Sequence, residues 1–319
     1  MTKEYQDWPT HTLGSAWATI GNFDGVHLGH QKLIQLVIEQ AKMDGVQSLV
    51  VTFWPHPRVF FSKSDQGYYL NNQKEKRNLL ATTGVDTVLC LPFTQSLADL
   101  STRDFITKLS SIVNLKGLIV GESFALGKDR LGTGDVLQKV CDEFGIECLH
   151  ITPELYEGEV ISSQRIRQAL DNGDVKLVAN LLGRTFTLSG FVAPGRQEGA
   201  KLGFPTANLY FDSHRKLPRF GVYASLVDLD GKFFKGVTNV GIRPTFDDGL
   251  SPSIETLLLD FDDNIYYKLI HVHFIEHIRD EIKFETIPDL VEQINVDKMN
   301  ARRILTDGIQ SQNLPTESA

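Results

Sequence analysis

The stretch Thr19-Ile20-Gly21-Asn22-Phe23-Asp24-Gly25-Val26-His27-Leu28-Gly29-His30 constrains the fold more than any other part of the chain. An apolar run, Ala16 to Ile20, enters a turn with glycines at 21, 25 and 29. The chain then leaves with Leu33, Ile34, Val37 and Ala41 at helical spacing. Strand, glycine turn and helix in this order is how α/β proteins aim a helix N-terminus at an anion. Free backbone N–H groups and the helix dipole favour a phosphate there, and glycine lets the backbone come close. His27 and His30 add donors at the same helix start. The stretch reads as a nucleotide-phosphate site. The alternatives are a pair of core histidines, or a fragment of a zinc site that lacks further His or Cys at ligand spacing.

With 319 residues, 41% hydrophobic and 23% charged, the chain has room for two ordinary domains of globular composition. A formal charge of -8 and a pI near 5.6 argue against bulk nucleic-acid binding while leaving room for a local basic pocket. The first residues, Met1 to Asp7, lack the apolar core of a signal peptide. No apolar run approaches the ~20 residues of a membrane span. Cys90, Cys141 and Cys148 show no CxxC spacing, which predicts reduced thiols in a cytoplasmic chain with no membrane partner. A monomer or weak homo-oligomer is expected.

The first part alternates strand-like and helix-like segments. Strands are expected at Gln47 to Phe53, Val85 to Leu91, Leu118 to Val120 and around Glu147 to Ile151. Helices are expected at Lys74 to Ala81, after a Ser101–Asp104 capping box, and from Val136 to Phe144. Between Trp54 and Arg58 the prolines predict a loop. Two more helices follow, one ended by Asn172-Gly173 and one capped by Asp174 and stopped at Gly183. Such alternation means βαβ units, a parallel sheet, and a ligand at the carboxyl ends of its strands.

After Gly183 helical periodicity gives way to short β-rich runs. Thr185 to Val192 is one; Val222 to Leu229 and Lys232 to Val237 flank the hairpin signal Asp230-Gly231. Ile254 to Phe261 and Tyr266 to Phe274 follow. In the last, Ile270, Val272 and Phe274 alternate with His271 and His273, which predicts that the two histidines share an outward face. That face, rather than a metal site with His277, is the reading preferred here. Pro288 opens a final helix. The expected domains are 1–182, parallel α/β, and 183–306, a small antiparallel β-barrel with a C-terminal helix. Residues 307–319 read as a disordered tail.

The motifs resemble one family in both halves. Gly21 to His30, GNFDGVHLGH, resembles the HxGH signature of the nucleotidylyltransferase superfamily, in the extended form of bacterial bifunctional riboflavin kinase/FMN adenylyltransferases, the FAD synthetases. The resemblance implies a Rossmann-like nucleotidylyltransferase domain in which Gly21, Asn22, Phe23, His27 and His30 bind ATP. Both histidines would stabilise charge as pyrophosphate leaves. Ile161-Ser162-Ser163-Gln164-Arg165-Ile166-Arg167 resembles the family's ISSTRIR with Gln164 for threonine. Its Ser162, Ser163 and Arg165 suit triphosphate oxygens. Gly121 to Lys128 superficially suggests a P-loop, but five residues separate its glycines and Asp129 stands where Ser or Thr would bind magnesium. It resembles instead the family's G-x-D/N-F-x-F-G loop, with Ser123 at the Asp/Asn position. Ser123, Phe124 and Tyr156 are flavin candidates by position.

Gly203-Phe204-Pro205-Thr206-Ala207-Asn208 resembles the riboflavin kinase signature GFPTAN. Oxygen donors suit Mg²⁺, and the resemblance implies Thr206 and Asn208 as its ligands. Gly199, Lys201 and Gly203 would lie around the same Mg-ATP, with Ala200 where the family carries a basic residue. Glu255, read as heading an otherwise apolar strand, would be the general base on the riboflavin 5′-hydroxyl. Asn239 to Phe246 matches a loop over the active site, with no catalytic role for Arg243. The function implied is riboflavin to FMN with Mg-ATP in the barrel, then FMN to FAD in the α/β domain. The substrates are riboflavin, FMN and ATP, with FMN and FAD as product ligands. The rivals are a kinase whose other domain is inactive or repurposed, and a non-catalytic flavin-binding regulator.

Overall fold

A computed structural model describes residues 2–308 apart from 63, 65, 129–130, 196–198, 200–201 and 245–249. Contacts divide the chain into two compact units, Met1–Ser163 and Gln164–Ala319.

The first unit begins β1 (Lys3–Tyr5), β2 (Ser15–Ile20), α1 (Leu28–Met43), β3 (Gln47–Trp54), α2 (Pro57–Ser62), α3 (Gln73–Ala81) and β4 (Thr87–Pro92). It continues with α4 (Gln95–Ala98), α5 (Thr102–Ser110), β5 (Asn114–Gly121), β6 (Ala125–Leu126) and β7 (Gly132–Thr133). Then come α6 (Gly134–Phe144), β8 (Glu147–Ile151), β9 (Leu155–Tyr156) and β10 (Glu159–Val160). Six strands form one parallel sheet in the order β1-β4-β3-β2-β5-β8.

Near-continuous apolar runs in its central strands explain why the sheet is covered on both faces. Trp17, Val50, Val88 and Ile119 meet Leu33, Ile34, Val37 and Ala41 of α1 and Leu80 of α3. On the opposite face Ala18, Val51, Leu89, Leu118 and Val120 meet Phe105, Ile106 and Leu109 of α5 and Leu137 and Cys141 of α6. The chain leaves β2 toward β3 on one side, while β5 lies on its other side. The strand order therefore reverses at β2, and the crevice at the carboxyl ends of β2 and β5 is where such a sheet takes a ligand.

Two local expectations are corrected. Pro57 does not prolong a loop but opens α2, because its fixed φ suits the first turn of a helix, where no N–H partner is needed. The peptide bond before Pro55 is cis. At α5 the Ser101 hydroxyl accepts the Asp104 N–H at 3.1 Å, but the Asp104 carboxylate turns to that same hydroxyl at 2.6 Å. The reciprocal capping box is at α3 instead, between Asn72 and Glu75.

α7 (Ser163–Asp171) spans the division of the chain, which falls after Ser163. The second unit then holds α8 (Val175–Leu182), β11 (Phe186–Ala193), β12 (Ala207–Phe211), β13 (Gly221–Leu229), β14 (Lys232–Pro244), β15 (Leu250–Leu258), β16 (Leu269–Arg279) and α9 (Ile287–Gly308). The strands close an antiparallel barrel in the order β11-β12-β15-β14-β13-β16. Asp230 and Gly231 both take positive φ, 52° and 80°, as a two-residue hairpin between β13 and β14 requires. Ala301 and Leu305 of α9 pack with Val222, Leu226, Val237, Leu257 and Ile275. Asp297, 2% exposed, pairs with Arg279 through Nη2 at 2.7 Å and Nε at 3.0 Å.

The outward face expected for His271 and His273 holds only in part. His271 is half-buried, with Nδ1 2.7 Å from the Ser189 hydroxyl. His273 is 4% exposed, because the closed barrel puts Thr185 and Thr187 beside it, their hydroxyls 3.1 and 2.9 Å from Nδ1. Burial pushes its pKa down to about 4. Asn239 to Pro244 is not a loop but the end of β14, paired with β15. The rest of that expected loop, 245–246, lies outside the described residues. Of the tail expected from 307, residues 307 and 308 instead end α9, whose backbone hydrogen bonding carries on past Asp307, and the rest lies outside the described residues.

Candidate functional site

The carboxyl end of β2 runs straight into the glycine turn. The Gly21 N–H still pairs with the Val51 carbonyl at 3.0 Å, and Phe23, Gly25 and Val26 then take positive φ. His27 caps α1: its Nδ1 accepts the His30 N–H at 3.3 Å, and the two rings stack at 3.5 Å. Phe23 sets its ring edgewise to His30 at 5.1 Å. Gly29 has a steric reason, since a Cβ there would lie 3.3 Å from the His27 ring. His27 is 6% exposed and His30 half-buried, so both rings are held at the helix start rather than free in solvent.

The Ser162-Ser163 motif returns to this turn across 139 residues of sequence: the Ser163 hydroxyl donates to the Asp24 carbonyl at 2.8 Å. Arg165 follows two residues later in the same helix, partly buried, while Gln164 is exposed. The other loops of this unit also leave from carboxyl ends. Ser123 and Phe124 follow β5, with the Glu122 N–H on the Ile151 carbonyl at 3.1 Å; Tyr156 sits in the ribbon after β8. Ser123 is exposed, whereas Phe124 packs partly against the core. The Lys128 amide is spent on the Leu100 carbonyl at 2.8 Å, which removes a donor that a P-loop would offer to phosphate.

Two residues here escaped the sequence reading. Asp24 is 3% exposed, and its carboxylate accepts the Leu70 N–H at 3.2 Å. Lys76 is 3% exposed, and burial lowers its pKa, opposed by Cys90 and Asp24. A signal for Lys76 was present: it stands four residues before Leu80, on the apolar face of α3.

In the barrel, Asn208 of β12 and Asn239 of β14 both pair with Glu255 of β15, from opposite sides. Direct cross-strand partners share a face. Glu255 thus lies within its strand, not at the strand's head as expected, and it is half-buried between two amides. The Thr206 hydroxyl is 3.5 Å from the Glu255 carboxylate. The Asn208 Oδ1 is buried with no hydrogen-bond partner among the described residues. An orphaned amide oxygen beside a hydroxyl and a carboxylate fits a hard cation. Among the described residues no group of three His, Cys, Asp or Glu side chains could hold a metal.

Gly199 accepts the Leu202 and Phe204 N–H groups on its carbonyl, at 3.0 and 2.8 Å, and a Cβ there would meet the Phe204 carbonyl at 2.6 Å. Gly203 has φ 85°. Lys201 lies outside the described residues. Asn239 was missed as a site residue; its only sequence signal was its place in the Asn239–Phe246 motif. Its Nδ2 reaches Glu281 at 3.4 Å.

Comparison with known proteins bears on both units. A family described as FAD synthetase matches residues 10–165, and one described as riboflavin kinase matches residues 182–305. The bifunctional riboflavin kinase/FMN adenylyltransferase of Pseudomonas fluorescens is 39% identical over 290 residues, covering 90% of this chain and 92% of that protein. Its namesake from Bacillus subtilis is 34% identical over 291 residues, with the same coverage. A crystal structure named as a macrolide-efflux protein from Streptococcus pneumoniae superposes with a TM-score of 0.86 at 30% identity, covering 94% of this chain and 98% of that one. That likeness bears on the architecture. Among the described residues no helix is long and apolar enough to cross a membrane.

Proposed function

The chain belongs to the family of bifunctional riboflavin kinases/FMN adenylyltransferases, and on that premise we propose how its residues divide the two reactions. It phosphorylates riboflavin to FMN with ATP and adenylylates FMN to FAD with release of pyrophosphate. The observation that carries the assignment is that each unit holds its own cluster of candidate side chains. One is the His27–His30 helix start at the switch point of a parallel sheet; the other is Thr206, Asn208 and Glu255 on adjacent barrel strands. The FAD synthetase match over residues 10–165, together with relatives named for both activities, supports the bifunctional reading over a kinase with an inactive or repurposed second domain.

In the barrel Glu255 takes the proton from the riboflavin 5′-hydroxyl as that oxygen attacks the γ-phosphorus of ATP, and ADP leaves in line. Thr206 and the orphaned Asn208 amide oxygen would hold Mg²⁺, which neutralises phosphate charge when bound. The partnerless Oδ1 supports this reading. Gly199, Lys201 and Gly203 belong to the loop around the phosphates.

In the α/β unit a phosphate oxygen of FMN attacks the α-phosphorus of ATP, the bond to the β-phosphate breaks, and pyrophosphate departs. No protein nucleophile is needed; positioning and charge stabilisation do the work. Gly21, Asn22 and Phe23 cradle the polyphosphate and His27, His30, Ser162 and Arg165 donate to it, while Ser163, whose hydroxyl proton is on the Asp24 carbonyl, holds the turn beside it. Ser123, Phe124 and Tyr156 lie toward the flavin. We keep the functional boundary at 182/183, where the kinase match begins, although contacts group α7 beyond Ser163, and α8, with the barrel. Three free cysteines fit a cytoplasmic enzyme, acting on small molecules as a monomer or weak homo-oligomer.

The test is incubation of pure protein with riboflavin, ATP and Mg²⁺, with the flavins resolved by chromatography. FMN followed by FAD is expected. Absence of both overturns the reading; FMN alone removes its adenylyltransferase half.

A further inference from the structure

Lysine is among the residues least often buried, and a buried charge persists only when its hydrogen bonds are met. Lys76 is 3% exposed and meets all three. Its ammonium donates to the Phe53 carbonyl at 2.8 Å, to the Thr52 hydroxyl at 3.2 Å and to the Asn22 carbonyl at 3.2 Å. The Thr52 hydroxyl in turn donates to the same Asn22 carbonyl at 3.1 Å. One carbonyl of the glycine turn therefore receives two donors from beneath the sheet's carboxyl end, one from β3 and one from α3.

The consequence follows from peptide geometry. In a planar trans peptide the N–H points opposite to the C=O. Pulling the Asn22 carbonyl inward onto Lys76 and Thr52 turns the Phe23 N–H outward, away from them. Neither the Asn22 nor the Phe23 amide has an acceptor among the described residues. Phe23 also takes φ 48°, a backbone conformation that a bulky residue adopts only when its surroundings impose it. Successive free amides in such a turn make a concavity for an anion.

We propose that Lys76 is a positioning residue for adenylyl transfer: with Thr52 it clamps the Asn22 carbonyl and so aims the Phe23 amide at the reacting polyphosphate. Lys76 does not touch the substrate. The inference rests on the adenylyltransferase reading of this unit, and it assigns a function to a buried cation that the reaction itself leaves unused. A donor preorganised where charge develops acts on the rate of the chemical step more than on ground-state affinity.

The test measures FAD formation from supplied FMN and ATP in the full-length protein, with riboflavin phosphorylation as the internal control. Lys76→Met is expected to lower kcat about 100-fold, the scale of losing one oriented donor. KM for ATP should stay within about threefold, and the kinase rate should be unchanged. Thr52→Val, which keeps the side chain's shape and retains two of the three acceptors of Lys76, is expected to lower kcat about tenfold in a protein that stays folded at the assay temperature, which keeps the proposal testable if Lys76→Met unfolds its unit. In the double variant the losses should be less than multiplicative, because both act on one carbonyl. Full kcat in either single variant overturns the proposal, as does a raised KM with kcat intact. A wild-type protein that makes FMN but no FAD overturns the adenylyltransferase reading itself, and this inference with it.

Discussion

The Ser163 hydroxyl donates to the Asp24 carbonyl at 2.8 Å, joining the start of α7 to the glycine turn after β2. Asp24 is at the same time held through its carboxylate by the Leu70 N–H at 3.2 Å. The turn that precedes His27 is thus tied down from two distant segments, which reduces the freedom that phosphate binding would otherwise have to remove.

Ser163→Ala removes that tie and leaves the Asp24 carbonyl one donor short. FAD formation from FMN should fall about tenfold in kcat/KM, on the scale of one hydrogen bond to a positioning group, while FMN formation is unchanged. Steady-state assays of the two half-reactions check it; an equal fall in both would mean general destabilisation.

Glu255→Gln keeps the side chain's shape and removes its basicity. Riboflavin phosphorylation should drop by roughly 10²- to 10⁴-fold, the contribution of a positioned general base. Adenylylation of added FMN should continue at the wild-type rate. A kinase rate within a factor of about three would exclude Glu255 as the base.

Asn208→Ala removes the buried, partnerless Oδ1 beside Thr206 and Glu255. The Mg²⁺ concentration needed for half-maximal kinase activity should rise, by about tenfold on the scale of one lost ligand contact. Chelation with EDTA should abolish wild-type FMN formation, and added Mg²⁺ should restore it. An unchanged Mg²⁺ dependence in the variant removes Asn208 from the ligand set.

His273 sets an acid limit on the barrel. Its pKa falls from the ordinary 6.5 to about 4 on folding, first because of burial, with Asp228 opposing and the neighbouring His271 adding to the drop. Between those values the unfolded chain binds a proton that the folded chain refuses. Stability is therefore full above about pH 6.5 and declines as pH falls toward 4, by at most about 1.4 kcal/mol per pH unit. Urea melts between pH 7 and pH 4 should show this decline, and His273→Asn should flatten it.

Asp297 and Arg279 form the ion pair that ties α9 to β16, with Gln293 adding a bond to Asp297 at 2.9 Å. Asp297→Ala strands a guanidinium that is largely buried, and should cost roughly 3–5 kcal/mol. The denaturant dependence of hydrogen exchange at the β13 and β16 amides measures it. The double variant Arg279→Met/Asp297→Leu should recover most of the loss, since no buried charge is then left unpaired.

Much of this was readable along the chain. Leu33, Ile34, Val37 and Ala41, picked out by a period of 3.6, are the buried residues of α1. Asp174 caps α8 through the Leu177 N–H, Gly183 ends it, and Asp230-Gly231 turns the hairpin. These signals are legible because caps, turns and amphipathic stripes are decided within a few residues of themselves. The motif residues His27, His30, Thr206, Asn208 and Glu255 were equally visible, since their spacing is local within each motif.

What failed to show was everything that depends on a partner far along the chain. His271 and His273 alternate as an exposed face would, but barrel closure brings Thr185 and Thr187 against the second of them and buries it. Lys76 stands on the apolar face of α3 with Leu80, but only β3 and the glycine turn supply the three acceptors for its charge. Glu255 was legible as a carboxylate but not as the middle member of an Asn208–Glu255–Asn239 row, which strand register alone creates. Most strands, helices, caps and turns were legible along the chain, together with the motif side chains proposed for the chemistry, because those signals are short-range. Only the tertiary structure decided which polar groups are buried and what they hold in place: desolvating a charge or an amide is tolerable only where distant chain supplies its hydrogen bonds.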